Sequence, residues 1–119
     1  MAAEGFRDWD DVCAFACTLP EVAMERWYGR PSPKVGGKAF VGYGHEPATS
    51  FVLMATADEK ALLIDAEPYV FWETPHYAGS GAVLVRFSAG ERAWIEDLIR
   101  RAWWDCAPRP LRTAFGDRP

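Results

Sequence analysis

The side chains with chemistry to offer gather in one loop and near the ends of two β-like runs. His76 and Tyr77 follow Thr74-Pro75 in a stretch, Thr74 to Gly81, whose proline and glycines mark a loop. Trp27, Tyr28 and Trp72 stand near the ends of neighbouring apolar runs. Brought together, Trp27, Tyr28, Trp72, His76 and Tyr77 would form an aromatic pocket with an imidazole in its wall and Lys38 as a candidate neighbour. Such a pocket suits a small ligand, or an unpaired base stacked on an aromatic face. The competing reading is structural, with His76 hydrogen-bonded to the loop backbone and Tyr77 packed on the core.

Enzyme chemistry finds little to stand on. Val35-Gly36-Gly37-Lys38 lacks the spacing and the following helix of a phosphate-binding loop. There is no HExxH, no nucleophile elbow and no Cys-His pair in sequence context. Glu73 and His76 could make an acid–base couple only by adjacency. Cys13 and Cys17 lie four apart with no further ligand type at metal spacing, so Cys13 reads as a small core residue. The expectation is a non-enzymatic protein with no catalytic residue, no cofactor and no metal.

The elements that must position these residues follow from periodicity. A helix is expected from Asp8 to Thr18, capped by Asp8, with Trp9, Val12, Cys13, Ala16 and Leu19 as its apolar stripe. A short strand follows over residues 22–28, then a turn, Gly29-Arg30-Pro31-Ser32-Pro33. Lys34 to Gly44 reads as one extended run, the loop Gly44 to Ser50 carries His45, and Ser50 to Thr56 is a second strand paired with it. Asp58 caps a short helix to Ile64, with Ala61, Leu62 and Ile64 as its apolar set. Strands are expected at Val70 to Trp72 and Ala82 to Phe87. A long helix, Gly90 to Cys106, turns Trp94, Ile95, Leu98, Ile99, Ala102, Trp103 and Cys106 to one side. Trp104 falls on the other side, where it can stack with Arg100 or lie under the tail, and residues 109–119 read as irregular. The order α-βββ-α-ββ-α predicts a two-layer α+β sandwich, a mostly antiparallel sheet of about five strands with helices on one face.

The 119 residues suit a single domain, and an apolar half with 25% charged residues is ordinary globular composition. No apolar run approaches membrane-spanning length. An odd count of three cysteines without a CxxC, and a start without an apolar signal core, point to the cytoplasm. Ten arginines and 18 alanines fit a GC-rich bacterial genome. The net charge of −4 excludes a basic coat but hides structure. Residues 26–45 carry +4 with no acid and residues 100–119 carry +3, leaving −11 on the other 79.

Several stretches resemble the MmcQ/YjbR-like family of small bacterial proteins. They are Leu19-Pro20, Gly29-Arg30-Pro31, Lys34-Val35-Gly36-Gly37-Lys38-Ala39-Phe40 and Ala107-Pro108, and above all Thr74-Pro75-His76-Tyr77-Ala78-Gly79 followed by Ala82-Val83-Leu84-Val85-Arg86-Phe87. The resemblance spans roughly residues 9–112 in matching order. It implies a CyaY-like, double-wing α+β fold whose hairpins project, and DNA as a partner, the latter resting on likeness of fold. It carries over no catalytic residues. The basic residues that would meet phosphates are Arg30, Lys34 and Lys38, with Arg100 and Arg101. Four cations on the wing, counting Arg26, would give a log–log salt slope of about −3.6. The alternative is a small-ligand or protein-interaction module built on the aromatic and histidine pocket, in a monomer or weak homodimer. The CyaY-like likeness also raises iron binding by Asp8, Asp10 and Asp11, against which helix capping is the plainer account.

Overall fold

A computed structural model of the chain describes residues 5–44 and 46–119, so His45 lies outside the described residues. Asp8 opens α1 (Trp9–Ala16), its carboxylate accepting from the Asp11 N–H at 2.9 Å. Asp11 then turns inward and takes the Arg92 guanidinium through both oxygens, at 2.7 and 3.3 Å. Burial by itself would raise the Asp11 carboxyl; the Arg92 guanidinium and the Arg7 backbone N–H outweigh it and hold it below the ordinary value. Asp8 and Asp11 are therefore engaged in capping and ion pairing, as the plainer account of the acidic first turn expects.

The next segment departs from expectation. β1 (Val22–Trp27) pairs antiparallel with β2 (Arg30–Val35), so the predicted five-residue turn is mostly strand. The turn itself is Tyr28-Gly29, both at positive φ of 53° and 80°, the geometry that matches strand twist in a two-residue hairpin. The prolines fit because Trp27↔Arg30 is the hydrogen-bonded pair beside the turn. Pro31 and Pro33 then fall opposite Arg26 and Met24, at alternate positions where the nitrogen faces away from β1. A second tight turn at Gly36-Gly37, φ 57° and 80°, breaks the single extended run expected from Lys34 to Gly44. It yields β3 (Lys38–Ala39), paired to β2, and β4 (Val41–Gly42) in a separate sheet.

The expected hairpin does form between β4 and β5 (Ser50–Met54). Thr56, rather than Asp58, caps α2 (Ala57–Ala66), accepting from the Glu59 N–H. α2 buries Leu63 and Lys60 while Leu62 stays exposed, so the expected apolar set is corrected. β6 (Phe71–Trp72) and β7 (Ala82–Arg86) complete the second sheet in the order β4-β5-β7-β6. α3 (Arg92–Cys106) buries Ile95, Leu98, Ile99, Ala102 and Trp103 as its periodicity requires. The tail is helical too: Pro108 caps α4 (Arg109–Phe115) and Pro110 sits in its first turn, where a missing N–H costs nothing. α4 and the Gly116 backbone cover Trp104, whose ring takes Arg112 at 5.1 Å and whose Nε1 donates to the Gly116 carbonyl. Arg100 stacks on Phe15 instead.

The fold is α+β with four helices and two antiparallel sheets, of three and four strands, in place of one sheet of about five. Alternation along the four-stranded sheet divides it sharply. Val41, Phe51, Leu53, Phe71, Val83 and Val85 face the main core with Phe6, Val12, Ile95 and Trp103. Val52, Ala82 and Leu84 face the other way and make a second, smaller apolar floor with Met54, Trp72 and Tyr77 packed on it.

Candidate functional site

The second face carries the site. Register lines up Gly42, Val52, Leu84 and Trp72 across the four strands. Two structures rise over this floor. One is the tip of the β1–β2 hairpin. Its Trp27 ring lies directly on Gly42, where any Cβ would collide with it, so the glycine is what lets the arm dock. The other is the Thr74–Gly81 loop, whose Tyr77 hydroxyl approaches Gly44 in the same way, 3.1 Å from where a Cβ would stand. Between them lies a groove of about 670 Å³. Its walls are Trp27, Tyr28, Tyr43, His76 and Tyr77, its floor Val52, Met54 and Ala82.

Lys60 holds the loop in place. It is 6% exposed, and its ammonium donates to the Tyr77 and Ser80 carbonyls at 2.9 and 3.0 Å and pairs with Glu73 at 3.0 Å. Ser80 Oγ donates to the same Tyr77 carbonyl at 2.6 Å. A buried ammonium has three donors to satisfy, and here all three go to one loop and the residue that leads into it. Glu73 thus engages Lys60 through one carboxylate oxygen. The His76 and Tyr77 rings meet edge to face at 4.7 Å.

Arg30 sits in the lining as well. It faces the same side of the arm as Trp27, its cross-strand partner. Its guanidinium lies 4.4 Å over the Tyr43 ring, which in turn meets Trp9 edge-on. Among the described residues no Asp or Glu lines the groove, and Arg30 brings it a positive charge.

Of the pocket residues expected from sequence, Trp27, Tyr28, His76 and Tyr77 are brought together. Trp72 shares the face but stands outside the lining, its ring covered by Arg86 at 4.7 Å. Lys38 is not part of the groove, and Arg30 takes the role considered for it. The basic residues disperse. Arg100 pairs with Asp97 and Glu96; Arg101 pairs with Glu59 and donates to the Pro119 carbonyl. Register turns Arg30 and Lys34 to one side of the arm, and Arg26 and Lys38 to the other. Sequence reasoning missed Tyr43 and Lys60. Strict alternation would set Tyr43 beside Val41 on the core side, but it lies just past the end of β4; Lys60 sits in a short helix without an apolar stripe and carried no signal.

Among the described residues, no group of three or more His, Cys, Asp or Glu could hold a metal ion. Burial pushes the Cys13 thiol up to about 12, helped by Cys17 and Asp10, and raises Cys106 as well. Neither is an activated nucleophile. No helix of the described residues is long and apolar enough to cross a membrane.

Comparison with known proteins agrees with the loop and strand pattern. The YjbR family model matches residues 17–104. Uncharacterized proteins of Mycobacterium tuberculosis and Mycobacterium bovis are each 36% identical over 121 residues, covering 90% of this chain and 94% of the relative. No solved structure matches. The matched span runs from the end of α1 to the last turn of α3 and contains both walls of the groove; the chain belongs to the YjbR family, of the MmcQ/YjbR type.

Proposed function

We propose that this protein is a non-enzymatic binding module whose groove receives a small organic ligand. The observation that supports this reading is the convergence of Trp27, Tyr28, Tyr43, His76 and Tyr77 on one concave surface of about 670 Å³, a volume typical of ligand sites. Four of these five rings come from an arm and a loop that are each held down by a dedicated device, the Trp27–Gly42 contact and Lys60. Thermal-shift and tryptophan-fluorescence screens of nucleotides and metabolites test it. The expected result is a ligand whose shift is reduced by Trp27→Ala, His76→Ala and Tyr77→Phe. Shifts left unchanged by all three substitutions would remove the groove from consideration.

A second reading, DNA binding along the arm, is favoured by a separate observation. Arg26, Arg30, Lys34 and Lys38 have no carboxylate partner among the described residues, whereas Arg100 and Arg101 do. The division of the four between two sides changes the expectation. A duplex lying on one side neutralises two charges, so the log–log salt slope becomes about −1.8 in place of −3.6. Anisotropy titration at several salt concentrations measures it, and absence of salt-sensitive binding at low salt removes this reading.

A further inference from the structure

The chemical class of the ligand can be read from the lining of the groove, granted that the groove is a binding site. We infer that it takes a planar aromatic ring bearing one anionic group, a carboxylate or a phosphate. The walls set the first half of this description. Trp27, Tyr28, Tyr43 and Tyr77 present flat π-faces and edges, and the floor of Val52, Met54 and Ala82 offers no charge to satisfy. A flat ring fills such a slot with offset-stacked or edge contacts at little conformational cost.

Arg30 sets the second half. Its guanidinium uses its flat face on Tyr43, which leaves the in-plane N–H groups for another partner. Among the described residues those N–H groups meet no carboxylate, and the groove contributes no Asp or Glu. Three arginines on the helical side, by contrast, have carboxylate partners: Arg92 with Asp11, Arg100 with Asp97, Arg118 with Asp105. A forked donor, fixed by stacking and bordering an apolar slot, is the arrangement that captures a carboxylate or phosphate through two parallel bonds. A neutral ring would forgo that charge-assisted pairing, and a cationic ligand would be repelled.

Two matched pairs of probes test this: adenosine monophosphate against adenosine, and naphthoate against naphthamide. Isothermal titration on the intact chain should give each anion at least about a tenfold advantage over its neutral counterpart, the ratio that 1.4 kcal/mol represents. Arg30→Met should bring both ratios to about one while leaving the neutral affinities in place, and Arg30→Lys should restore part of the preference. Arg30 is exposed on the arm, so an unchanged melting temperature is expected in both variants. Equal binding of anion and neutral probe by the unmodified protein, lost in both on Trp27→Ala, would overturn the charge assignment and leave the groove standing. Failure of all four probes to bind would overturn both.

Discussion

The two faces of the four-stranded sheet solve the same problem in opposite ways. The face bearing Phe51, Leu53, Phe71, Val83 and Val85 is sealed by helices whose own side chains are almost wholly inaccessible, Ile95, Ile99 and Trp103 among them. Its polar atoms are anchored across long chain separations, as when Trp103 Nε1 donates to the Pro20 carbonyl. The face bearing Val52, Ala82 and Leu84 is roofed by a hairpin tip and a loop. The tip rests a ring on a glycine and a guanidinium on Tyr43, and the loop is tied by an ammonium on two carbonyls. Apolar area alone would favour closing both faces equally. The difference is that helices bring periodic stripes, while the hairpin and loop bring a few separate contacts and leave space between them.

Substitutions on the two sides should therefore differ in kind as well as in size. Trp103→Ala opens a cavity on the sealed face and strands the Pro20 carbonyl. We expect a loss of about 3–5 kcal/mol in global unfolding by urea, with both sheets affected together. A transition that lowers only part of the signal would contradict the view of that face as one cooperative unit. Lys60→Met removes the donor of two loop carbonyls and the partner of Glu73. The cost should be about 2 kcal/mol, accompanied by faster amide exchange across residues 74–81 and by weaker ligand binding. If exchange in that loop is unaltered, Lys60 does not position it. Gly42→Ala places a methyl group where the Trp27 ring lies. The smallest effect is expected here, about 1 kcal/mol, but it should be local. Amides of β1 and β2 would exchange faster while those of β5 and β7 stay protected, and equal loss in all four strands would show that the arm is integral to the sheet.

How much of this was legible in the sequence differs between the same two faces. The sealed side follows from periodicity: the α1 cap at Asp8, the α3 stripe and the Phe51 and Val83 strands were all readable, because burial repeats at the helical or strand period. The convergence of Trp27, Tyr28, His76 and Tyr77 was readable too, since strand ends and a proline-glycine loop tend to collect rings. What escaped depends on pairing, which a linear pattern does not carry. Pro31 and Pro33 look like turn residues until the register shows their nitrogens turned away from β1. The Lys34 and Lys38 spacing suggests one face until the Gly36-Gly37 turn folds them onto opposite ones. Lys60 resembles any solvated helix lysine until the loop it binds is in place. The helix at Arg109–Phe115 was hidden behind prolines that serve as its cap and first turn.

Those strand prolines also bear on how the protein behaves when crowded. A hairpin with an exposed edge is the sort of element that recruits strands from neighbouring copies and grows into fibres. Along β2 the backbone positions that face away from β1 before Val35 are Pro31, which is exposed, and Pro33, which is buried, and neither has an N–H to donate. An incoming strand would find half of its hydrogen bonds already withdrawn. The docked arm can thus stay solitary along that edge at concentrations where an unbroken strand would polymerise.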